Sequence, residues 1–441
     1  MNRILFIAPL PPPVHGSAMV SKYIKDSAKV QSVAQCDWVN LSTSRRMDEI
    51  GKGGAMKLLR FMGAYLKTLW LLLTHRYDLC YLAITCHGIG FLKDAPFVWL
   101  CKMFGCRVLI HQHNKGMRNC IERWPYRWLI PYIYNRARVM LLSWHLYPDI
   151  AKVVKREQVV ICANGIRETV SGERSVLNGT DIKPSTQNPQ QEQRDLTKHS
   201  TLNSTHYTLN SKHYTLNSKP YTLNSKPYTL HTKQEHRDLT KPLTAYRSPL
   251  TVNLLFLSNL IPSKGVYVLL DACRILKDKG LDFQCNFVGG ETKEIDRARF
   301  EAEVQRRGLE GMVRYEGPKY GEEKEEYWRS SDVFVFPTYY FNECFPLVIL
   351  EAMQHGLPVV STTEGAVPDM VADGVNGFVC ERKDVSGLAG ALERLITDAA
   401  LRMRMGEVGR KRYEEEFTLE RFEERFASIL TALISPTNYT N

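Results

Sequence analysis

Two long stretches of this chain alternate short apolar runs with helix-period patterns, and that alternation leaves few folds open. Within residues 1–168 the runs at 4–8, 79–84, 108–111, 139–143 and 159–163 are apolar at nearly every position. A strand that is apolar on both sides is buried on both faces, as in a parallel sheet covered by helices. Between the first two runs, 56–73 reads as a Leu-rich helix with Lys57, Arg60 and Lys67 spaced along it. Residues 251–418 repeat the scheme. Strands are expected at 252–257, 283–288, 313–316, 333–337 and 358–361, and helices at 265–279, 296–307, 322–330, 346–355 and 385–398. The tail 402–434 reads as helical, with the charged faces of surface helices. The expected fold class is α/β, with two doubly wound, Rossmann-like domains.

Residues 169–250 break this pattern. Tyr-Thr-Leu-Asn-Ser-Lys recurs every seven residues from Tyr207, Tyr214 and Tyr221, Tyr228 heads a fourth copy reading Tyr-Thr-Leu-His-Thr-Lys, and Arg-Asp-Leu-Thr-Lys stands at 194–198 and again at 237–241. A heptad period invites a coiled coil. The Asn-Ser steps and the prolines at 220 and 227 exclude it, because proline removes a helical donor and clashes with the preceding turn. The tract has too little apolar surface to offset its ordering entropy. It is expected to be a disordered insertion between domains 1–168 and 251–418, with 419–441 as a C-terminal helix packing back on the first domain.

Charge divides along the same lines. Residues 1–168 hold 24 Lys and Arg against 10 Asp and Glu, whereas 251–441 hold 23 against 31. A basic first half suits an anionic partner such as a phosphorylated lipid acceptor or an anionic membrane face. The eleven cysteines include no Cys-x-x-Cys and lie scattered through apolar segments, the usage of a reduced, cytoplasmic protein. The apolar N-terminus is too short for a signal peptide and runs into Pro-Leu-Pro-Pro-Pro, so it reads as a first strand. The most lipid-like stretch, 68–74, is too short to span a bilayer.

The chemistry concentrates in Phe341-Asn-Glu343-Cys344-Phe345-Pro346-Leu347-Val348-Ile-Leu-Glu351. Pro346 suits a helix start, and the first amides of that helix, from Cys344 and Phe345 to Leu347 and Val348, form an anion site. Glu343 beside them can hydrogen-bond sugar hydroxyls. Glu351, on a mostly apolar helix, needs a partner if buried and offers two acceptor oxygens to a ribose. The pair as a glycosidase acid and nucleophile is excluded by distance. Eight helical residues separate them by about 12 Å, whereas such pairs stand about 5–9.5 Å apart. A second glycine-bearing turn follows the first strand, where Gly16 precedes a helix expected from about Ser17.

At this point the sequence resembles retaining GT-B glycosyltransferases of family 4. Glu343 and Glu351 match the family's Glu-x7-Glu motif. Phe256-Leu-Ser-Asn259-Leu-Ile-Pro-Ser-Lys264-Gly265 resembles its first donor-domain strand and loop, and Lys264 would pair with the donor diphosphate. Gly289 falls in a glycine turn after the next strand. Gly365-Ala-Val-Pro368-Asp369 resembles Gly-x-x-Pro-Glu, with Asp in the acidic slot. In the first half Gly16 matches the glycine loop, His113 a histidine near the donor sugar, and Asn164-Gly165 the close of the domain; His111 competes with His113. Two departures stand out. Asn259 occupies a position where the family often has Arg, and Pro346 replaces a usual glycine.

The resemblance implies a GT-B fold with a cleft between the domains and transfer from a nucleoside-diphosphate sugar, UDP- or GDP-linked, with retention of configuration. Glu343, His113 and Lys264 are then the catalytic candidates. Gly16, Asn259, Gly289 and Glu351, with Lys264 and the helix-start amides, would hold the donor. No Asp-x-Asp stands in a metal-binding context, and no obligatory metal or cofactor is expected. The acceptor would be a saccharide or a polyprenyl- or lipid-linked saccharide of envelope, capsule or lipopolysaccharide synthesis. The enzyme would associate peripherally with the cytoplasmic membrane, and no nucleic acid partner is expected. A GT-B nucleotide-sugar epimerase and a nonenzymatic sugar-binding scaffold are the alternatives.

Overall fold

The computed structural model describes residues 2–12, 16–44, 54–169 and 251–435. The expected disorder of 169–250 thus falls, apart from Thr169, outside the described residues. The first half runs β1 (Arg3–Ala8), α1 (Gly16–Asp26), α2 (Ala28–Gln31), β2 (Gln35–Asn40), α3 (Ala55–Thr74), β3 (Leu79–Ile84), α4 (Gly88–Met103), β4 (Val108–Gln112), α5 (Met117–Cys120), α6 (Tyr126–Tyr134), β5 (Arg138–Leu141) and β6 (Val159–Ile161). The second runs β7 (Val252–Leu257), α7 (Val266–Asp278), β8 (Phe283–Val288), α8 (Arg297–Arg306), β9 (Val313–Gly317), α9 (Gly321–Ser330), β10 (Val333–Phe336), α10 (Leu347–Gln354), β11 (Val359–Thr362), α11 (Val367–Met370), β12 (Gly377–Cys380), α12 (Val385–Thr397), α13 (Ala399–Arg412) and α14 (Leu419–Ile434).

The strands form two six-stranded sheets, ordered β2-β1-β3-β4-β5-β6 and β12-β11-β10-β7-β8-β9. Every pairing is parallel. Burial on both faces explains the apolar runs: β3 is buried at all six positions, and β1 from Ile4 to Ala8. In each sheet the order reverses beside the first strand, between β1 and β3 and between β7 and β10. At such a switch point the loops leaving the carboxyl ends diverge and open a crevice for ligands.

β2 and β12 lie outside the expected strands. Both are edge strands; β2 buries only Val39 fully and is interrupted by polar residues, and β12 is a run of only four residues, Gly377–Cys380. The tail is not one helical stretch. After α13 a π-helical turn, Tyr413–Phe417, buries both of its aromatic ends. Thr418 then turns extended and caps α14 by accepting from the Arg421 amide. The chain leaving β6 meets this break: Ile166 bridges Thr418. A Cβ on Gly165 would stand 2.3 Å from the Thr418 carbonyl oxygen. α14 lies on the first sheet, where Phe422, Phe426 and Leu430 share a cluster with Ile4, Phe6, Tyr81 and Leu109. Tyr81 and Phe426 meet edge to face at 5.5 Å.

Candidate active site

Lys264 and Glu343 come from opposite sides of the second switch point. Lys264 ends the turn after β7, and Glu343 lies in the loop after β10. Their side chains form an ion pair, both largely buried. The Lys264 ammonium also stands 4.6 Å from the Tyr340 ring centroid and 5.3 Å from that of Phe336. Gly265 makes this turn possible. Its φ is +92°, and a Cβ there would lie 2.2 Å from the Pro337 carbonyl oxygen. The loop after β11 is pressed onto the Glu343 loop in the same way. Gly365 has φ +59° with no room for a Cβ between the carbonyls of Glu343 and Cys344, and the Ala366 amide donates to Cys344 O at 2.8 Å.

α10 starts at Leu347, one residue after Pro346, so its first amides lack intrahelical acceptors. Cys344 and Phe345 turn their side chains into the core; Phe345 packs against Phe417 at 6.1 Å. Only the backbone of these two residues is available to a ligand, and burial pushes the Cys344 thiol far up. Beside them the Asn342 side-chain oxygen is buried with no hydrogen-bond partner among the described residues. Glu351, half-buried, accepts from Lys324 of α9 at 2.9 Å, which supplies the partner its apolar surroundings demand.

Two donor-site candidates have local structural duties. The Asn259 side-chain oxygen accepts from the Gly290 amide at 3.1 Å, while Leu260 N donates to Gly290 O at 2.8 Å. Asn259 thus ties the first glycine turn to the second. Gly289, at φ +152°, allows the chain to cross the end of β7, where a Cβ would lie 1.9 Å from Ser258 O. Gly16 opens α1 with nothing within 4 Å of a Cβ position. Local packing therefore does not demand glycine there.

At the first switch point a cavity of about 280 Å³ is lined by Pro9, Ser17, Thr85, Asp94, His113 and Asn114, among others. Asp94 accepts from the Thr85 amide at 2.9 Å and pairs with Lys93 at 2.5 Å. The rings of His111 and His113 lie 3.9 Å apart, tilted by 40°, yet only His113 reaches the cavity. His111 is fully buried, its Nδ1 bonded to the Tyr81 hydroxyl at 2.7 Å. Burial, followed by the neighbouring His113, holds its pKa well below the usual imidazole range. His111 is a neutral core histidine.

The loops carrying His113 and Glu343 touch. Lys115 pairs with buried Glu364 and stands 5.8 Å from the Phe341 ring centroid. A Cβ on Gly116 would meet His87 at 2.9 Å and Phe341 at 3.1 Å. Glu364 also takes Arg382 at 3.2 Å. Asp369 accepts from Ser143 of the first half and pairs with His145 at 2.9 Å. Sequence reading singled out none of Lys115, Lys324, Asn342, Glu364, Ser143 and His145 as site residues. Lys324 sits in a Glu-Glu-Lys-Glu-Glu run that resembles any solvated helix face. Lys115, two residues after His113, offered the one usable signal.

Comparison with known proteins follows the division between the halves. Residues 251–412 match the family model described as glycosyl transferases group 1. The amylovoran biosynthesis glycosyltransferase AmsK of Erwinia amylovora is 31% identical over 193 residues, which cover 43% of this chain and 46% of that protein. The capsular polysaccharide biosynthesis glycosyltransferase CapM of Staphylococcus aureus is 28% identical over 181 residues, 41% of this chain and 46% of that protein. The chain thus spans about half the length of the curated relatives it matches. Among solved structures, sucrose-phosphate synthase from Thermosynechococcus elongatus aligns over 98% of this chain and 99% of its own, with TM-score 0.63 and 17% identity. Anabaena HepE in complex with UDP aligns over 98% of this chain and 100% of its own, with TM-score 0.62 and 15% identity. The chain therefore has the GT-B fold, and its residues 251–412 are similar to the glycosyl transferases group 1 family.

Proposed function

We propose that this protein is a retaining glycosyltransferase that moves a sugar from a nucleoside-diphosphate sugar to a saccharide or lipid-linked saccharide. The observation that carries the reading is the Lys264–Glu343 pair at the second switch point, next to the first turn of α10 and the unsatisfied Asn342 oxygen. A buried cation beside free helix-start amides suits a diphosphate whose negative charge grows as it leaves. No metal is required for that stabilisation. Glu343 then hydrogen-bonds the sugar, and Glu351 the ribose, with Lys324 at its side. His113 faces the sugar from the first half.

In this reading the bond from the anomeric carbon to the phosphate oxygen breaks, and its electron pair leaves with the diphosphate. The acceptor oxygen bonds to the same face of that carbon, and its proton passes to the departing phosphate oxygen. The Glu-x7-Glu block supports assignment to family 4 and, with it, retention. HepE bound to UDP supports a UDP-sugar among the donors to be tried first. AmsK and CapM, named for exopolysaccharide and capsule synthesis, support a role in envelope polysaccharide assembly at the cytoplasmic face of the membrane.

A panel of UDP-, GDP- and ADP-sugars, scored first by binding and then by nucleotide release, tests the proposal. Release of nucleoside diphosphate only when acceptor is added, with a product of unchanged anomeric configuration by NMR, is the expected result. Release without acceptor would point to an epimerase. No binding of any donor would leave a scaffold.

A further inference from the structure

α3 is inside out. Leu59, Met62, Leu66, Trp70 and Leu73 recur at spacings of three and four, which places them in one stripe along the helix. That stripe faces outward, each side chain 42–66% exposed, and Met56 and Leu58 extend it. The inner side is filled by Thr68, Leu71 and Leu72, with Phe61 and Tyr65 set edge-on to Phe97 of α4. No Asp or Glu occurs from Gly54 to Arg76, while Lys57, Arg60 and Lys67 do. Among the described residues no helix is long and apolar enough to cross a membrane. An apolar stripe flanked only by positive charge is the pattern of a helix lying in the plane of a bilayer surface.

A second observation adjoins it. A groove of about 440 Å³ is lined by Lys22, Lys25 and Asp26 of α1, Trp38 and Asn40 of β2, and Lys67 of α3, with Lys22 paired to Asp26. Lys67 Nζ donates to the Trp38 carbonyl at 2.9 Å, which holds this ammonium at the border between groove and stripe. Three ammonium groups against one carboxylate leave the groove net positive, and with an indole beside an apolar face they match phosphate headgroups above acyl chains. On its other flank, Arg60 donates to the Thr43 carbonyl at 2.8 Å, and Thr43 lines the cavity that His113 faces.

We infer that α3 and the Lys22/Lys25/Lys67 groove form the face by which this protein lies on an anionic lipid bilayer. Phosphate headgroups enter the groove, and the Leu59–Leu73 stripe enters the acyl boundary. The assignment of the face stands on the first half alone. Its consequence rests on the proposed function: a lipid-linked acceptor anchored beside α3 presents its saccharide to the His113 cavity.

The test is flotation of the full chain with phosphatidylglycerol-containing vesicles and with phosphatidylcholine vesicles, at low and moderate salt. Binding to the anionic vesicles is expected, weakening with salt. It should fall at least about tenfold in Leu66→Glu/Trp70→Glu and in Lys22→Glu/Lys25→Glu, with thermal melts matching the parent. Failure of the parent to float overturns the inference, as do variants that float like the parent. Loss of binding only in Trp124→Ala/Trp128→Ala, before and on α6, would move the face elsewhere and overturn the inference. An α3-dependent dimer in sedimentation that ignores vesicles would assign the stripe to a second copy. Nucleotide-sugar binding, measured on the same samples, should be unaffected by every α3 and groove variant. Its absence in the parent would overturn the proposed function and leave the docking face standing.

Discussion

Lys264 and Glu343 hold each other across the second switch point, so each is positioned before a donor arrives and neither lies buried without a counter-charge. In the proposed reaction, removing the ammonium would leave the growing charge on the leaving diphosphate to the helix-start amides. Lys264→Ala is expected to lower kcat by about 100-fold or more, read as acceptor-dependent release of nucleoside diphosphate. Glu343→Gln should retain donor binding better than it retains turnover. His145 makes a second prediction at this scale. Its hydrogen bond to Asp369 raises its pKa above the ordinary value, against the opposing effect of burial. Burial alone would raise the Asp369 carboxyl, but the bonds from His145 and Ser143 outweigh it and lower it. A raised histidine contributes its stabilisation below its unfolded pKa and loses it as pH rises through the folded value. A lowered carboxyl contributes above its unfolded pKa and loses that as pH falls through the folded value. The charged pair is therefore complete from above the Asp369 titration to below that of His145. NMR titration should find His145 above the free imidazole value, returning toward it in Asp369→Asn.

Among the elements, the turns around α10 depend on glycine because two backbones cross there without space for a side chain. Gly365 is the clearest case, since its left-handed φ and the Glu343 carbonyl 2.5 Å from a Cβ position both exclude alanine. Gly365→Ala is expected to cost about 1–3 kcal/mol in denaturant unfolding. It should also weaken nucleotide-sugar binding, because the loop that must shift carries Glu343. A loss of stability with unchanged donor affinity would separate that loop from the donor site. The same crossing explains why Gly289 and Asn259 fall where they do: they join the ends of β7 and β8 before any ligand contact is considered. The stripe of α3 behaves oppositely, since its outer residues stay 42–66% exposed rather than being packed into a core.

For the whole molecule, α14 is the element that ties the end of the chain to its beginning. Phe422, Phe426, Leu430, Leu433 and Ile434 complete the face of the first sheet opposite the larger core. Fully buried Phe426 packs on Tyr81 and lies 6.4 Å from the ring of His111. Phe426→Ala is expected to destabilise by about 3–5 kcal/mol, measured by urea unfolding followed through tryptophan fluorescence. Further contacts join the halves nearer the site: Lys115 with Glu364, His145 and Ser143 with Asp369, and Tyr413 with the Ile166 carbonyl at 3.2 Å.

Residue order alone determined the α/β class and the inner strands, because burial on both faces forces an apolar run that no other packing requires. It also singled out Glu343, Lys264 and His113 through their match to family motifs, and each follows a strand of the fold. The edge strand β2 stayed hidden, because Gln35, Asp37 and Asn40 interrupt its apolar residues, whereas the edge strands β6 and β9 were legible. Tertiary structure alone decided the partners. Lys115 reaches Glu364 across 249 residues and Ser143 reaches Asp369 across 226, and ion pairs leave no trace in local periodicity. The choice between His111 and His113 was likewise a matter of three dimensions: two residues apart, they share one side of the strand, but His111 lies within β4 against the core and His113 just past its end, and only the packed sheet shows which of them meets the cavity.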